Sequence, residues 1–354
     1  MVNEAKKAVL LVNLGTPDSP KRYDVYRYLK QFLLDKRVLD INALGRNILV
    51  RGIIAPFRSK PTGDLYKQLW MDEGSPLKVY GQRLRDGVQA QLGDDYVVEL
   101  AMRYQNPSIE SALKKVLAHS PKSLTILPLF PQYTSACNGS VYEEVNRLLS
   151  KELAIPKVNF INSFHDYEPM IELFAERARQ YDIKSYDHII FSYHGLPVRQ
   201  MVKTDPGNHC GQSEYCCHNL TLKNQYCYSA QCYDMTYRIA EKLGFTREQY
   251  TICFQSRLGR TPWLQPYTSD IIEHLAEKGN KRLLVFCPSF VADCLETTIE
   301  VSVEYKEEFE EAGGEHIQLV EGLNDHPNWI KAVAQLVKEN TEMQIVSPQS
   351  AVSV

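Results

Sequence analysis

The sequence predicts an α/β protein built from two doubly wound parallel sheets. Apolar, β-branched runs of five to nine residues recur along the chain, as buried parallel strands require. Amphipathic segments with good N-terminal caps lie between these runs. A length of 354 residues exceeds what one core usually holds. Together these features favour two Rossmann-like domains with a cleft between them.

The elements follow in order. Strands are predicted in AVLLVNLG (8–15), SLTILPLF (123–130), HIIFSYHG (188–195) and RLLVFCPSF (282–290). Helices are predicted in PSIESALKKVLAHS (107–120), EPMIELFAERARQY (168–181) and SDIIEHLAEKG (269–279). We therefore expect an N-terminal domain over 1–160, a C-terminal domain over 161–340 and a disordered tail over 341–354.

Charge and the N-terminal segment narrow the classes of partner and compartment. The net charge of -3 gives no general attraction for nucleic acid. The N-terminal apolar run, 8–12, is too short for a signal peptide or a membrane span, so we expect a cytoplasmic protein. In a reducing compartment, clustered thiols more often bind metal than form disulfides. Five of the nine cysteines fall between Cys210 and Cys232, whereas Cys137, Cys253, Cys287 and Cys294 are expected to pack in the core.

Polar residues at the carboxyl ends of the strands are the candidates for a ligand site. The turn after the first strand, Asn13-Leu14-Gly15, has too few glycines for a dinucleotide fingerprint. His194 follows a strand directly and is poorly placed for core packing. After 282–290, four carboxylates at spacings of three and four are predicted to share one helix face, which is either solvated surface or part of the cleft: Asp293, Glu296, Glu300 and Glu304.

An imidazole and several carboxylates at one cleft can accept protons and hold a divalent cation. The sequence has neither a G-x-S-x-G elbow nor a Walker loop, which disfavours acyl and phosphoryl transfer.

Several motifs, in order, resemble the ferrochelatase family over nearly the whole chain up to about residue 338. They are LVNLGTPDSP (11–20), YKQLWMDEGSPL (66–77), AMRYQNPSIESAL (101–113), LPLFPQYTSACNGSV (127–141), FSYHGLP (191–197), QSRLGRTPWLQP (255–266) and FVADCLETTIEVSVEY (290–305). The resemblance implies the chelatase fold, a porphyrin cleft, and insertion of Fe²⁺ into protoporphyrin IX with release of two protons.

The same resemblance implies roles for individual residues. His194 is the expected proton acceptor or metal ligand, and Glu296 is the expected glutamate across the cleft. Asp293, Glu300 and Glu304 would extend a route for protons or metal. The expected porphyrin contacts are Leu14, Arg58, Tyr66, Ser75, Arg103, Tyr104 and Trp263. Leu14 stands where some relatives carry a tyrosine or methionine near the metal, which disfavours an axial ligand from that side.

The cysteine-rich segment, 206–232, resembles an internal insert of certain bacterial ferrochelatases that holds a [2Fe–2S] cluster. The expected ligands are Cys210, Cys217, Cys227 and Cys232, with Cys216 as the alternate for Cys217. The C-terminal version of such a cluster is excluded, since no cysteine follows Cys294. Structural zinc and free thiols stay open as alternatives, and His209 and His218 could join a mixed ligand set.

Two rival functions stay open: a cobalt or nickel tetrapyrrole chelatase, and a non-catalytic heme- or iron-binding redox sensor. The sequence leaves undecided the choice between protoporphyrin and coproporphyrin, the oligomeric state and the role of a cluster. Apolar stretches at 26–35 and 47–57 resemble the lip of the family's active-site mouth and suggest peripheral membrane contact.

Overall fold

The structure is a computed structural model that describes residues 6–342, apart from positions 214 and 260. Within this part of the chain, eight strands form two separate four-stranded sheets. The first sheet has the order β2-β1-β3-β4 and the second β6-β5-β7-β8, and every pairing is parallel. The strands are β1 (Lys7–Gly15), β2 (Tyr96–Tyr104), β3 (Ser123–Pro128), β4 (Lys157–Phe160), β5 (His188–His194), β6 (Tyr250–Gln255), β7 (Arg282–Phe286) and β8 (His316–Leu319).

Thirteen α-helices flank the two sheets in the described residues. In the first half they are α1 (Arg22–Leu33), α2 (Ala43–Ile48), α3 (Ala55–Leu69), α4 (Pro76–Leu92), α5 (Ile109–Leu117) and α6 (Ser140–Leu149). In the second half they are α7 (Glu168–Ala178), α8 (Val198–Lys203), α9 (Tyr228–Leu243), α10 (Thr268–Glu277), α11 (Leu295–Thr298), α12 (Lys306–Glu311) and α13 (Pro327–Glu342). Three π-helical segments, Leu49–Ile54, Ser135–Gly139 and Glu300–Tyr305, and two 3₁₀ turns, Ile183–Ser185 and Arg247–Gln249, complete the set.

The α/β fold class predicted from the sequence is confirmed. The two sheets repeat the same strand order, as expected from two similar courses of strand and helix. The predicted strands and helices form because their sequences suit them. The run from Ala8 to Val12 is wholly buried in the centre of its sheet, and the Ser108 side chain caps α5 by accepting from the N–H of Ser111.

The C-terminal helix α13 packs against the first half of the chain. Its Ile330 side chain lies against Gly87 on α4, where a Cβ would come within 2.5 Å of the isoleucine. Its Thr341 hydroxyl lies 3.2 Å from that of Thr125 on β3. The division at residue 160 stays a prediction, and α13 makes contacts across it. Because α13 continues to 342, residues 341 and 342 are helical and not disordered as predicted, and 343–354 lie outside the described residues.

Candidate active site

His194 is the last residue of β5, at the carboxyl edge of the second sheet. Its Nδ1 lies 2.7 Å from the carbonyl oxygen of Gly195, which can only accept a hydrogen bond. Nδ1 therefore carries the hydrogen, and Nε2 keeps its lone pair. The ring of Phe290 stands 6.2 Å away, at 62° to the imidazole. In the neutral ring, the lone pair of His194 Nε2 therefore has no hydrogen-bond partner among the described residues and lies beside an apolar ring.

Trp263 lies close to the same turn. Its ring packs on Gly195, where an added Cβ would meet the indole at 3.3 Å and the carbonyl oxygen of Gln255 at 2.7 Å. Only glycine fits so close a contact between backbone and ring. The indole Nε1 is buried and has no hydrogen-bond partner among the described residues. Trp263 thus borders the histidine turn and keeps an unused donor.

Gln255 joins the histidine strand to the carboxylate helix. It pairs in register with His194 at the end of β6, and its Oε1 accepts from the Ser192 hydroxyl at 2.7 Å. Its Nε2 donates to the carbonyl oxygen of Glu296 at 2.7 Å and to Glu300 Oε2 at 3.2 Å. Sequence reasoning missed this residue. The available signal was a glutamine closing the apolar strand YTICFQ, because a buried amide needs partners.

Glu296 lies on α11 among groups that keep their protons. Burial raises the pKa of Tyr66, and the charge of Glu296 raises it further. The pKa of the Cys294 thiol is raised by the same two causes in the same order, so Cys294, expected only to pack, adjoins the predicted catalytic glutamate. Tyr28 stands 6.5 Å from Tyr66, ring to ring, and burial raises its pKa too. The Glu296 carboxylate therefore faces neutral partners.

Tyr66 and Ser75 meet at the end of β1. The Thr16 hydroxyl donates to Ser75 Oγ at 2.8 Å, and it counters part of the rise that burial causes in the pKa of Tyr66. Leu14, two residues earlier, is half-buried, and its N–H is taken by the Asn13 side chain at 2.8 Å. The structure thus brings the predicted contacts Leu14, Tyr66 and Ser75 to one strand end and joins them to Glu296 through Tyr66.

The prediction of four carboxylates on one helix face is wrong. The segment changes from the short helix α11 to a π-helix at Glu300, and Asp293 precedes both. Asp293 accepts from the Thr297 hydroxyl at 3.1 Å, from the N–H of Gly322 at 3.2 Å and from the Asn324 amide at 2.7 Å. These bonds fasten the turn before α11 to the loop after β8. Asp293 has a structural task.

Glu300 is also held tightly. One oxygen accepts from the N–H of Ser256 at 2.7 Å and from the Tyr305 hydroxyl at 2.9 Å. The other accepts from the Ser256 hydroxyl at 2.6 Å and from Gln255 at 3.2 Å. Glu304 is different: partial burial raises its pKa, and the charge of Glu300 raises it further. Of the carboxylates after Glu296, Glu304 is the better placed to take up a proton.

Arg103 and Tyr104 are directed inward. The Arg103 guanidinium forms an ion pair with Asp35 at 2.8 Å, and the Tyr104 hydroxyl donates to the same carboxylate at 2.9 Å. Tyr104 is 0% exposed, so its ring has no surface for a ligand in this structure. Arg58, by contrast, is exposed on α3, and its charge only partly offsets the rise that burial causes in the pKa of Glu304. Of the two predicted arginines, only Arg58 is free to meet an external anion.

Of the two stretches predicted to form the lip, only 47–57 carries exposed apolar side chains, because the apolar side chains of 26–35 are buried or half-buried. We call five exposed apolar side chains of 41–57 the lip: Ile41, Leu44, Ile48, Ile53 and Phe57. Leu44 and Phe57 are 73% and 74% exposed. Exposing such large apolar side chains to water is unfavourable, and contiguous patches of them often mark an interaction site. Asp40, just before the lip, pairs with Arg199 and with Lys203 on α8, each at 2.7 Å. Partial burial raises the pKa of Asp40, but these two cations outweigh it and hold that pKa below its ordinary value.

The cysteine-rich segment gathers thiols without completing a metal site. Cys216 and Cys217 have Sγ atoms 3.6 Å apart, and Cys217 and Cys227 are 4.0 Å apart. Two thiolates on one tetrahedral metal stand about 3.8 Å apart, because metal–sulfur bonds of about 2.3 Å meet at the tetrahedral angle. These pairs fit a shared metal. No group of three or more His, Cys, Asp or Glu side chains in the described part of the chain is arranged to hold one, so neither an iron–sulfur cluster nor zinc is shown.

Side chains of the segment itself hold its backbone. Asn224 donates to the carbonyl oxygens of Cys216 at 3.1 Å and Asn219 at 2.9 Å, and its own oxygen accepts from Thr221. Cys232 differs from the other four cysteines of the segment, because it lies within α9, which begins at Tyr228, and is fully buried.

Comparison with known proteins decides the family. Residues 6–341 match the family model described as ferrochelatase. The chain belongs to the ferrochelatase family. A ferrochelatase of Legionella pneumophila (strain Lens) is 44% identical over 334 residues, covering 94% of this chain and 99% of that protein. A ferrochelatase of Coxiella burnetii (strain Dugway 5J108-111) is 43% identical over 342 residues, covering 96% of each.

Solved structures support the fold of this ferrochelatase-family chain. SirB from Bacillus subtilis with Fe³⁺ aligns with a TM-score of 0.53 at 13% identity, covering 96% of this chain and 97% of that one. The sirohydrochlorin chelatase SirB from Bacillus subtilis subspecies spizizenii, in complex with cobalt, gives a TM-score of 0.51 at 11% identity, with coverage of 95% and 96%. The predicted chelatase fold is confirmed, and at such low identity the likeness extends to the fold alone.

Family membership confirms the predicted enzyme class. The chain is a lyase of the ferrochelatase type, and its family belongs to heme biosynthesis. Among the described residues, no helix is long and apolar enough to cross a bilayer.

Proposed function

We propose that this chain inserts Fe²⁺ into protoporphyrin IX to form protoheme. One observation carries the proposal: His194, with a free Nε2, is joined through Gln255 to the helix of Glu296 at the carboxyl edge of the second sheet. A base and a carboxylate on connected elements suit a reaction in which two protons leave one small region.

Metal insertion exchanges two protons of the porphyrin for one divalent cation. Two pyrrole N–H bonds break, Fe²⁺ exchanges its water ligands for the four ring nitrogens, and the two released protons carry away the two positive charges that Fe²⁺ brings. Nε2 of His194 accepts one proton, and the carboxylate of Glu296 accepts the other. Glu304, whose pKa is raised mainly by partial burial, takes protons onward towards the exposed end of the π-helix. Asp293 and Glu300 act by holding this helix, because their oxygens already accept several hydrogen bonds.

The porphyrin would lie between the end of β1 and the histidine turn. Leu14, Tyr66 and Ser75 would border it on one side, and the ring of Trp263 on the other, next to Gly195. Arg58 is the proposed partner for a propionate because its charge is exposed.

Arg103 and Tyr104 would not contact the porphyrin directly. Both side chains bind the carboxylate of Asp35 and so hold in place the segment that leads to the lip.

The decisive experiment is an anaerobic assay of the purified chain with Fe²⁺ and protoporphyrin IX, following the Soret band of protoheme. Coproporphyrin III with Fe²⁺ and sirohydrochlorin with Co²⁺ serve as competing substrates. Turnover of a porphyrin with Fe²⁺ supports the proposal. Turnover of sirohydrochlorin alone would favour the rival chelatase, and tight heme binding without any turnover would favour the sensor.

We also propose that the cysteine-rich segment binds a [2Fe–2S] cluster through Cys210, Cys217, Cys227 and Cys232, with Cys216 as the alternate. Five thiols in one segment and two sulfur pairs at metal-sharing distance support this, whereas zinc would use the same thiolates. About two irons and two sulfides per chain are expected. Cys227→Ser should lose them, and Cys137→Ser, outside the segment, should keep them. One zinc per chain without sulfide would refute the cluster and leave the lyase proposal intact.

We propose that the enzyme is cytoplasmic and that the lip makes a peripheral contact with a membrane. Its five apolar side chains are exposed, and Arg46 and Arg51 lie among them. Sedimentation with anionic vesicles should carry the parent protein down and leave Leu44→Ser/Phe57→Ser in solution. Equal sedimentation of the two proteins would contradict this contact.

A further inference from the structure

The backbone of His194 lies where its sheet loses a strand. Strands β5 and β7 pair only as far as Phe191 and Phe286, after which the chain turns away through Pro288. The N–H of Gly195 donates to Gln255 on the β6 side, so the N–H and carbonyl of His194 point the other way, towards the missing continuation of β7. Buried backbone groups without a ladder need other partners.

A closed ring of three hydrogen bonds supplies those partners. The Tyr228 hydroxyl donates to the His194 carbonyl oxygen at 2.8 Å. Because its one hydrogen is used there, Ser289 must be the donor in the 2.9 Å contact between the two hydroxyls. The N–H of His194 donates to Ser289 Oγ at 3.4 Å, the longest of the three bonds. Tyr228 is only 4% exposed, so water is a poor substitute for its hydroxyl.

The same tyrosine belongs to the helix that ends the cysteine-rich segment. Tyr228 is the first residue of α9, directly after Cys227, and the fully buried Cys232 follows it one turn later on the same face of the helix. In that turn, Gln231 accepts from the N–H of Tyr133 at 2.7 Å and donates to Gln225 at 2.6 Å. The first turn of α9 therefore contacts His194, the thiols and the first half of the chain at once.

We propose that Tyr228 is a positioning residue for His194, and that the cysteine-rich segment acts on metal insertion through it. The inference rests on the proposed function in that His194 is taken as the proton acceptor. Tyr228 does not touch the reacting atoms. Its hydroxyl fixes the peptide that aims the imidazole, and it moves with the helix that carries Cys232.

The test replaces Tyr228 by Phe, which removes one hydroxyl and keeps the ring. Because a small misplacement of a catalytic group costs much rate, kcat should fall about 10- to 100-fold. KM for protoporphyrin should stay within about twofold, since the porphyrin does not contact Tyr228. The matched control is Tyr142→Phe, which removes a tyrosine hydroxyl bonded to a backbone carbonyl, that of Ile161 at 2.6 Å, far along the chain. Ser289→Ala opens the ring from its other side if the first variant folds poorly.

A second measurement does not depend on activity. In ¹⁵N-histidine-labelled protein, the ring signals that vanish in His194→Ala belong to His194. These signals should shift in Tyr228→Phe and stay unchanged in Tyr142→Phe. Unchanged His194 signals together with a kcat within about twofold of the parent would overturn the positioning role. A parent protein with no turnover would instead refute the proposed function, while the ring signals would still test Tyr228.

The link to the thiols is tested by a double-mutant cycle. Cys232→Ser should lower kcat in the parent and cause little further loss in the Tyr228→Phe background, because both changes act through one contact. Independent, multiplicative losses would show that the segment acts by another route and would overturn the coupling.

Discussion

Replacing Glu300 by Gln should destabilise the fold, although the change keeps the shape of the side chain. The carboxylate accepts four hydrogen bonds, two on each oxygen. An amide can accept on one atom only, and its NH₂ must face either the N–H of Ser256 or the amide of Gln255. The hydroxyls of Ser256 and Tyr305 can rotate, but these two N–H donors cannot become acceptors.

The magnitude follows from this count. At least one hydrogen bond to a charged acceptor is lost, leaving a desolvated donor, at about 1.5–3 kcal/mol. The remaining bonds weaken with the loss of charge, so we expect a total of about 2–4 kcal/mol. A protein of 354 residues should then melt about 3–5 °C lower, as followed by circular dichroism.

Glu296→Gln is the matched control. It lies four residues earlier, and the contact identified for its carboxylate is with the thiol of Cys294, a weak donor. We expect its melting temperature to stay within about 2 °C of the parent, while turnover falls strongly because the proton acceptor is lost. Equal melting of the Glu300 variant and the parent would refute the reasoning, as would a Glu296 variant that unfolds as easily as the Glu300 variant.

The remaining predictions concern His194, Asp40 and Glu304. His194→Ala should abolish metal insertion, while fluorescence titration should show that the variant still binds porphyrin. Near-full turnover by this variant would exclude His194 from the mechanism. Asp40→Asn should speed trypsin cleavage within 41–57, and in the parent the same loosening should appear only as pH falls below 3.8, since the pKa of Asp40 is lowered. Because the pKa of Glu304 is raised, its charge disfavours folding above its ordinary value of 4.5, so Glu304→Gln should gain melting temperature over the parent between about pH 4 and 7. A constant difference would contradict this.

The sheets and the main site residues could be predicted because their signals are local. A continuous apolar run predicts a buried strand, and the residue that follows it must lie at the sheet edge, which is how His194 was found. Predicted helices at 107–120, 168–181 and 269–279 appear as Ile109–Leu117, Glu168–Ala178 and Thr268–Glu277, shorter at one or both ends.

What could not be predicted depends on partners distant in sequence. The spacing of Asp293 and Glu300 suggested one helix face, but the bonds that hold them come from Asn324 and Ser256, across loops. A π-helix has no periodic signature that separates it from an α-helix over six residues. Gln255 was missed because its importance lies in what it joins, which a single strand does not reveal.

The contact of α13 with the first half of the chain has a consequence for synthesis. A chain leaves the ribosome from its N-terminus, and domains usually fold as they emerge. Here Gly87 and Thr125 are contacted by Ile330 and Thr341, which are made more than two hundred residues later. This part of the first half therefore waits, partly uncovered, until α13 has been made. Nascent chains stalled near residue 320 should bind, through this surface, chaperones that recognise exposed apolar side chains. They should release these chaperones once α13 has been made.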